Sequence, residues 1–337
     1  MSSSMVPRTE AAPVIEPATE QWLDALAAAS SGPPYWEGTP AAARPVLRDL
    51  QTSVSVDLEP ADVEGRFIPG GPTGDVDLRI VRPQQRGGAL PALVYTHGGG
   101  WILGDKDTHD RLVREIANAA GAVVVFVNYT PAPEAHYPVQ NEQAYTALEW
   151  VAEHASEIGA DPSRIAIMGD SVGGNMATAV AQMAKERGGP SLAAQVLFYP
   201  VTDADFQTPT YERYADGPWL TRCAMKWFWD AYAPDEERRL EPTASPLRAD
   251  LEVLSRAAAD AARQRRARRP RCRGPGVRPP TDAGRRPDDA RPVLGHDPRL
   301  RAAQPDRRNP SGPRRDRPGR PVPAHGLRRL STPPPTR

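Results

Sequence analysis

Ser171 lies at the centre of Gly169-Asp170-Ser171-Val172-Gly173, a G-x-S-x-G pentapeptide. A serine hydroxyl is a weak nucleophile. To attack a carbonyl it needs a base, a group that orients the base, and donors for the oxyanion that forms. The flanks suit that chemistry. Arg164–Met168 reads as a short apolar strand, and residues 175–185 are a good helix former. A strand, a tight turn and a helix, with serine at the turn, project the hydroxyl from the top of a sheet. The turn forces the serine into a strained backbone conformation, and only residues without a Cβ fit close beside it. The helix that follows directs its N-terminus at the place where negative charge develops.

A second motif stands 74 residues upstream. His97-Gly98-Gly99-Gly100-Trp101 follows the apolar run Ala92–Thr96 directly. Its glycines let backbone N–H groups approach a substrate oxygen. The N–H groups of Gly99, Gly100 and Val172 are the expected oxyanion donors, with Gly98 and Gly173 supporting the two turns. Asp170, next to the nucleophile, is read as fixing the turn rather than as the acid of a triad. Asp203 is read as polar lining or a cap. His109, His136 and His154 lie in loop or helix-surface contexts and are read as solvated or packing side chains. No metal-ligand spacing is present.

The elements that must hold these residues alternate along the chain. Helical composition is found at Glu20–Ser30 and Pro40–Gln51, separated by Pro33-Pro34. Val63–Ile68 and Val76–Arg82 read as an early strand pair. Strands at Ala92–Thr96, Ala122–Asn128 and Ala194–Tyr199 alternate with helices at Thr108–Ala119 and Asn141–Ile158, Trp150 and Val151 lying on the apolar face of the last. Ala122–Asn128 and Ala194–Tyr199 are read as buried. Such alternation predicts an α/β fold, a doubly wound, mostly parallel sheet covered on both faces. Residues 205–241 break the rhythm with Tyr211, Tyr214, Trp219, Trp227, Trp229 and Tyr232, and read as an inserted helical cap that also borders a pocket.

The bulk composition hides a division. The 337 residues carry 42 basic and 42 acidic side chains. Residues 256–337, however, hold 23 Arg and 7 Asp, with no Lys or Glu, a net charge of +16, and 16 of the 39 Pro. That segment contains no Phe, Trp, Tyr or Ile, so disorder is expected of it. It lacks interleaved aromatics and any recognised nucleic-acid module, so no nucleic-acid partner is expected. Cys223 and Cys272 form no framework, no secretory leader is visible and no stretch is long enough to span a membrane. A cytoplasmic protein without a membrane partner is expected.

Four pieces, His97–Trp101, Tyr129–Glu134 with Tyr137-Pro138, Gly169–Gly174 and Tyr199–Asp203, resemble the hormone-sensitive-lipase-like branch of the α/β-hydrolases, over about residues 20–254. The resemblance implies hydrolysis of short-chain carboxylic esters by a Ser-His-Asp triad beneath an N-terminal helical cap, with no cofactor, a small-molecule ester as substrate, and a monomer or weak homodimer. It implies that His97 stabilises its loop and is not the base. The division expected is a cap segment at 1–55, a hydrolase core at 56–254 with the cap insertion, and a tail at 255–337.

The family's acid and histidine segments do not appear, so the triad Asp and His are not present in this reading, and the last two strands and final helix are expected to be missing. Read one base forward, residues 255–269, 297–308 and 309–327 permit an acid-bearing segment, an I-H-D-F-type loop and a helix, in the family's order. A single change of frame near Ser255 is therefore expected. It places the triad Asp across Arg268/Arg269 and the His across Pro298/Arg299. His296 and His325 are read as accidents of the tail. The alternative is a catalytically inactive relative or a ligand-binding protein without turnover.

Overall fold

The computed structural model describes residues 15–30, 32–84 and 87–249. These all fall within one compact unit, Met1–Cys272. The expectations placed on residues 255–337, including the change of frame, the missing final elements, His296 and His325, lie outside the described residues.

Two helices come first: α1 (Pro17–Ala29) and α2 (Pro40–Thr52). Each starts on a proline behind a side-chain cap. Glu16 accepts from the Thr19 N–H, and Thr39 from the Ala42 N–H, which satisfies donors that the first turn leaves unpaired. Then follow β1 (Ala61–Gly71), β2 (Gly74–Pro83), β3 (Leu90–Thr96), α3 (Asp110–Ala120), β4 (Val123–Asn128), α4 (Val139–His154), β5 (Ala160–Asp170), α5 (Val172–Glu186), β6 (Ala194–Phe198), α6 (Pro209–Arg213) and α7 (Arg222–Tyr232).

The sheet order is β1-β2-β4-β3-β5-β6. The first two pairings are antiparallel; β4, β3, β5 and β6 run parallel. Parallel strands need coverage on both faces, and the side chains divide accordingly. Val94, Val125 and Ile167 face the layer of α4 and α5, with Leu148, Val151, Met176 and Val180. Tyr95, Phe126 and Met168 face Val113 and Ala117 of α3. β3, β4 and β5 thus run through the middle of the core and end together beside Thr96, Asn128 and Asp170.

Several expectations shift. α3 starts at Asp110 rather than Thr108, because Asp105 accepts from the N–H groups of Asp107 and Thr108 and holds that stretch in a turn. The helix expected over 141–158 begins at Val139 and ends at His154, followed by a single 3-10 turn, Ala155–Ile158, that Gly159 closes at φ 74°. Val151 is buried, whereas Trp150 is half-buried with the Arg66 guanidinium over its ring. The strand at Ala194–Phe198 is not buried. Among the described residues it pairs on one side only, with β5, and Val196 and Phe198 are each 39% exposed. A run of apolar residues cannot by itself distinguish a central strand from the last strand of a sheet.

No helix among the described residues is long and apolar enough to cross a membrane.

Candidate active site

Ser171 is the N-cap of α5, with φ 53° and ψ −121°. Only four described non-glycine residues have positive φ, namely Trp101, Ser171, Tyr199 and Trp219. Ser171, Tyr199 and Trp219 line one cavity of about 620 Å³, and Trp101 directly follows the glycine loop that also lines it. Such conformations cost about 1–3 kcal/mol each and persist where surrounding structure enforces them.

At Ser171 the enforcement is visible. Its N–H donates to the Phe198 carbonyl at 2.9 Å, and its carbonyl accepts from Val201 at 3.1 Å. Asn175, one turn into α5, donates to the carbonyls of Val201 (2.9 Å) and Ala244 (2.8 Å). On the other side, a Cβ on Gly173 would overlap the Thr96 carbonyl at the end of β3. The helix can therefore start this close to the sheet only with glycine there.

The loop 97–101 faces this turn across the top of β3 and β5. Gly98 N–H donates to Asp170 Oδ1 at 3.0 Å. Gly99 and Gly100 have φ of 111° and 66°, and their N–H groups donate to no acceptor among the described residues. Val172 N–H opens α5, where a helix leaves its first donors free. Gly98, Gly99, Gly100, Asp170, Ser171 and Val172 all line the same cavity. A Cβ on Gly100 would enter the ring of Phe228, which closes the cavity from α7.

Asp170 is 7% exposed. Its carboxylate accepts from Gly98 N–H and from the Tyr95 hydroxyl at 2.7 Å. His109 Nε2 stands 3.9 Å from the same oxygen. Burial pushes this carboxyl up, but the neighbouring His109 and the Tyr95 hydroxyl outweigh it and hold it below its ordinary range. Asp170 thus links the elbow to the glycine loop as an anion.

His97 is 2% exposed and lies between Phe126 and Tyr129, with centroid separations of 5.1 and 4.2 Å and nearly parallel rings. Burial, reinforced by His109, pushes its imidazole down to about 3. It is therefore neutral at physiological pH, and its own carbonyl accepts from Tyr129 Oη. His109 is 9% exposed and packed rather than solvated; its ring stands against His97 and Phe126. No local pattern marks His109 in the sequence, because its partner Asp170 lies far off along the chain and meets it only where β3 and β5 end side by side. His136 is exposed and bonded to the Ala231 carbonyl, and His154 stacks on Trp150. Asp203 pairs with Arg248 at 2.9 Å, away from the cavity lining.

The N-terminal segment roofs the site. Tyr35, Val46 and Leu47 line the cavity with Trp219, Leu220 and Phe228 of the 205–241 segment. Trp229 and Tyr232 belong to the core instead, the latter stacked on Trp101 at 3.9 Å. Arg44 of α2 fastens the roof. Its guanidinium donates to the carbonyls of Ile102 and Ala132, each at 3.1 Å, and pairs with Glu134 at 2.5 Å. Among the described residues no cluster of His, Cys, Asp and Glu could hold a metal ion, and Cys223 is exposed and unpaired.

Comparison with known proteins places this arrangement. A family model described as the alpha/beta hydrolase fold matches residues 93–264. A carboxylesterase of Mycobacterium tuberculosis is 39% identical over 254 residues, 74% of this chain and 78% of that protein. An α/β hydrolase of Acanthamoeba polyphaga mimivirus is 36% identical over 239 residues, 70% of this chain; the match spans 66% of the viral protein, just under two thirds of its length. Among solved structures, a thermostable esterase from Pseudomonas putida is similar with a TM-score of 0.69 and 48% identity, covering 72% of this chain and 76% of that one.

Proposed function

This chain belongs to the α/β-hydrolase family, in its hormone-sensitive-lipase-like carboxylesterase branch, and we propose that Ser171 is the nucleophile with which it hydrolyses carboxylic esters. The observation that carries the reading is the position of Ser171. It is held at φ 53° over the start of α5, in a cavity that it shares with the unpaired amides of Gly99 and Gly100.

Ser171 Oγ attacks the acyl carbonyl carbon, and its proton passes to a histidine base. The carbonyl oxygen becomes an oxyanion facing the N–H groups of Gly99, Gly100 and Val172. Collapse of the tetrahedral intermediate expels the alcohol, which takes the proton from the histidine. A water repeats the sequence on the acyl-enzyme and frees the acid. Gly98, Asp170, Gly173 and neutral His97 hold the two turns that bring these groups together. The base and its acid partner have no assigned residue between 15 and 249; the change of frame assigns them to codons beyond Ser255.

The test is hydrolysis of p-nitrophenyl butyrate by the chain as printed, by its Ser171→Ala variant, and by a protein read one base forward from Ser255. Turnover lost in Ser171→Ala supports the nucleophile; unchanged turnover overturns it. Loss of a triad histidine costs on the order of 10⁶ in turnover, so the frame-restored protein should be far faster. Equal rates would overturn the change of frame.

One observation favours a second reading for the chain as printed. Among the described residues, the only histidine lining the cavity is His109, and it faces Asp170. The cavity would then bind esters without turning them over, which the same assay combined with an ester-binding measurement reveals.

A further inference from the structure

Tyr199 is the first residue after β6. It has φ 38°, is 75% exposed, and lines the cavity at Ser171. Positive φ is costly for a residue with a Cβ, and glycine would adopt it freely. The backbone around Tyr199 cannot relax. On one side the Phe198 carbonyl accepts the Ser171 N–H at 2.9 Å; on the other the Val201 N–H donates to the Ser171 carbonyl at 3.1 Å. Between them Pro200 packs on α5 so closely that a Cβ on Gly174 would stand 2.9 Å from it. Asn175 and Leu247 hold the next carbonyls, those of Val201 and Thr202, each at 2.9 Å. A bridge of four residues, fastened to Ser171 at both ends, thus carries Tyr199 in its span. The phenol itself gives the fold little in return. Among the described residues its one aromatic neighbour is Phe198, with ring centroids 6.3 Å apart, and its hydroxyl makes no hydrogen bond.

Backbone strain of this kind persists where function uses it. Tyr35, Trp219 and Phe228 bring aromatic side chains to the cavity from the N-terminal and 205–241 segments, and Tyr199 brings one from the end of the sheet. We propose that Tyr199 is a specificity-determining residue, its ring a platform for a planar aromatic group attached to the ester that reacts at Ser171. The proposal rests on Ser171 as the reacting residue. Because residues 198 and 201 both bond to the backbone of Ser171, the ring keeps a fixed place beside the carbonyl under attack. A flat aromatic group lies offset on such a ring or meets it edge to face, and gains from the ring quadrupole as well as from burial; a saturated ring of the same size gains from burial alone. The difference corresponds to about 2- to 10-fold in kcat/KM.

The experiment compares kcat/KM for planar and puckered esters of matched size in the full chain: benzyl against cyclohexylmethyl acetate, and methyl phenylacetate against methyl cyclohexylacetate. Tyr199→Gly removes the ring with a residue that accepts φ 38°, and Tyr199→Phe keeps the ring without the hydroxyl. Tyr199→Gly is expected to lower the planar-to-puckered ratio by about 2- to 10-fold and to unfold in urea no earlier than the wild type. Tyr199→Phe is expected to keep the wild-type ratio. A fall confined to the acetates puts the aromatic group on the alcohol side of the ester, and one confined to the methyl esters puts it on the acyl side; either supports the platform. A ratio unchanged in Tyr199→Gly overturns it, with a lowered urea midpoint then marking the ring as packing. An equal fall in Tyr199→Phe also overturns it, by assigning the contact to the hydroxyl. If the wild type turns over none of these esters, the reading of Ser171 fails, and calorimetric titration of Ser171→Ala with each pair still decides the platform. Tighter binding of the planar ester that Tyr199→Gly abolishes supports it, and equal binding within both pairs overturns it.

Discussion

His109 Nε2 stands 3.9 Å from Asp170 Oδ1, the oxygen that also receives the N–H of Gly98 and the hydroxyl of Tyr95. One carboxylate oxygen therefore joins the turn at Ser171 to the loop of Gly98, Gly99 and Gly100. Truncating His109 to Ala removes a partner of the Asp170 carboxylate and the ring packed on His97. Asp170→Asn weakens the anchor of Gly98. Both substitutions are expected to lower kcat by about 10- to 100-fold with a smaller change in KM, less than the ~10²–10³ for deleting an oxyanion donor outright. His109→Gln, which keeps a donor, should recover part of the loss. Steady-state kinetics on p-nitrophenyl butyrate checks this.

Gly100→Ala places a methyl inside the ring of Phe228 and asks alanine to adopt φ 66°. It is expected to cost about 1–3 kcal/mol of stability and about 10²–10³ in rate through displacement of the amide. In the double variant with Phe228→Ala, the packing part of the cost should disappear and the backbone part remain. Urea unfolding of the four proteins separates the two.

His97 gives the fold an acid-sensitive element. Its imidazole titrates near 3 when folded, against 6.5 as the reference value. Between those values the unfolded chain binds the proton and the native one does not, so stability rises with pH. That contribution is fully present above about pH 6.5 and is lost as pH falls towards 3, at up to about 1.4 kcal/mol per pH unit. The pH dependence of the urea midpoint between pH 7 and 4 should be shallower in His97→Gln than in the wild type.

Arg44→Ala should loosen the roof without unfolding the sheet. Partly exposed ion pairs are worth little, but this guanidinium also satisfies two carbonyls, and charged hydrogen bonds contribute about 1.5–3 kcal/mol each when lost from a sheltered site. The expected result is faster proteolysis within 30–52, with the global unfolding midpoint shifted less. Arg44→Lys should restore only part of the protection, since an ammonium cannot reproduce the fork of the guanidinium.

The elbow and the glycine loop were legible because their chemistry is local. Gly169, Gly173 and the run 98–100 are demanded by close backbone approach within a few residues, and a strand before each motif fixes where it sits. The β3–β4–β5 centre was legible because a doubly covered strand reads as an unbroken apolar run. β6 reads the same way yet lies at the edge of the described sheet. Composition records what a strand can bury, not whether a neighbour is there. His109 and the Tyr35–Trp219 contact were illegible for a related reason. Each pairs groups far apart in sequence, and only the parallel crossover and the packing of α1 and α2 over the 205–241 segment bring them together.

Arg44 Nε holds the Ile102 carbonyl, and the Ile102 N–H in turn holds the carbonyl of Gly99. The helix that shelters the cavity is thus tied through one residue to the peptide expected to steady the oxyanion. Admission and turnover then share a single mechanical coordinate. An ester bulky enough to lift α2 also slackens the Gly99 and Gly100 amides, so such esters should be penalised in kcat more than in KM, a discrimination by size through speed rather than through grip.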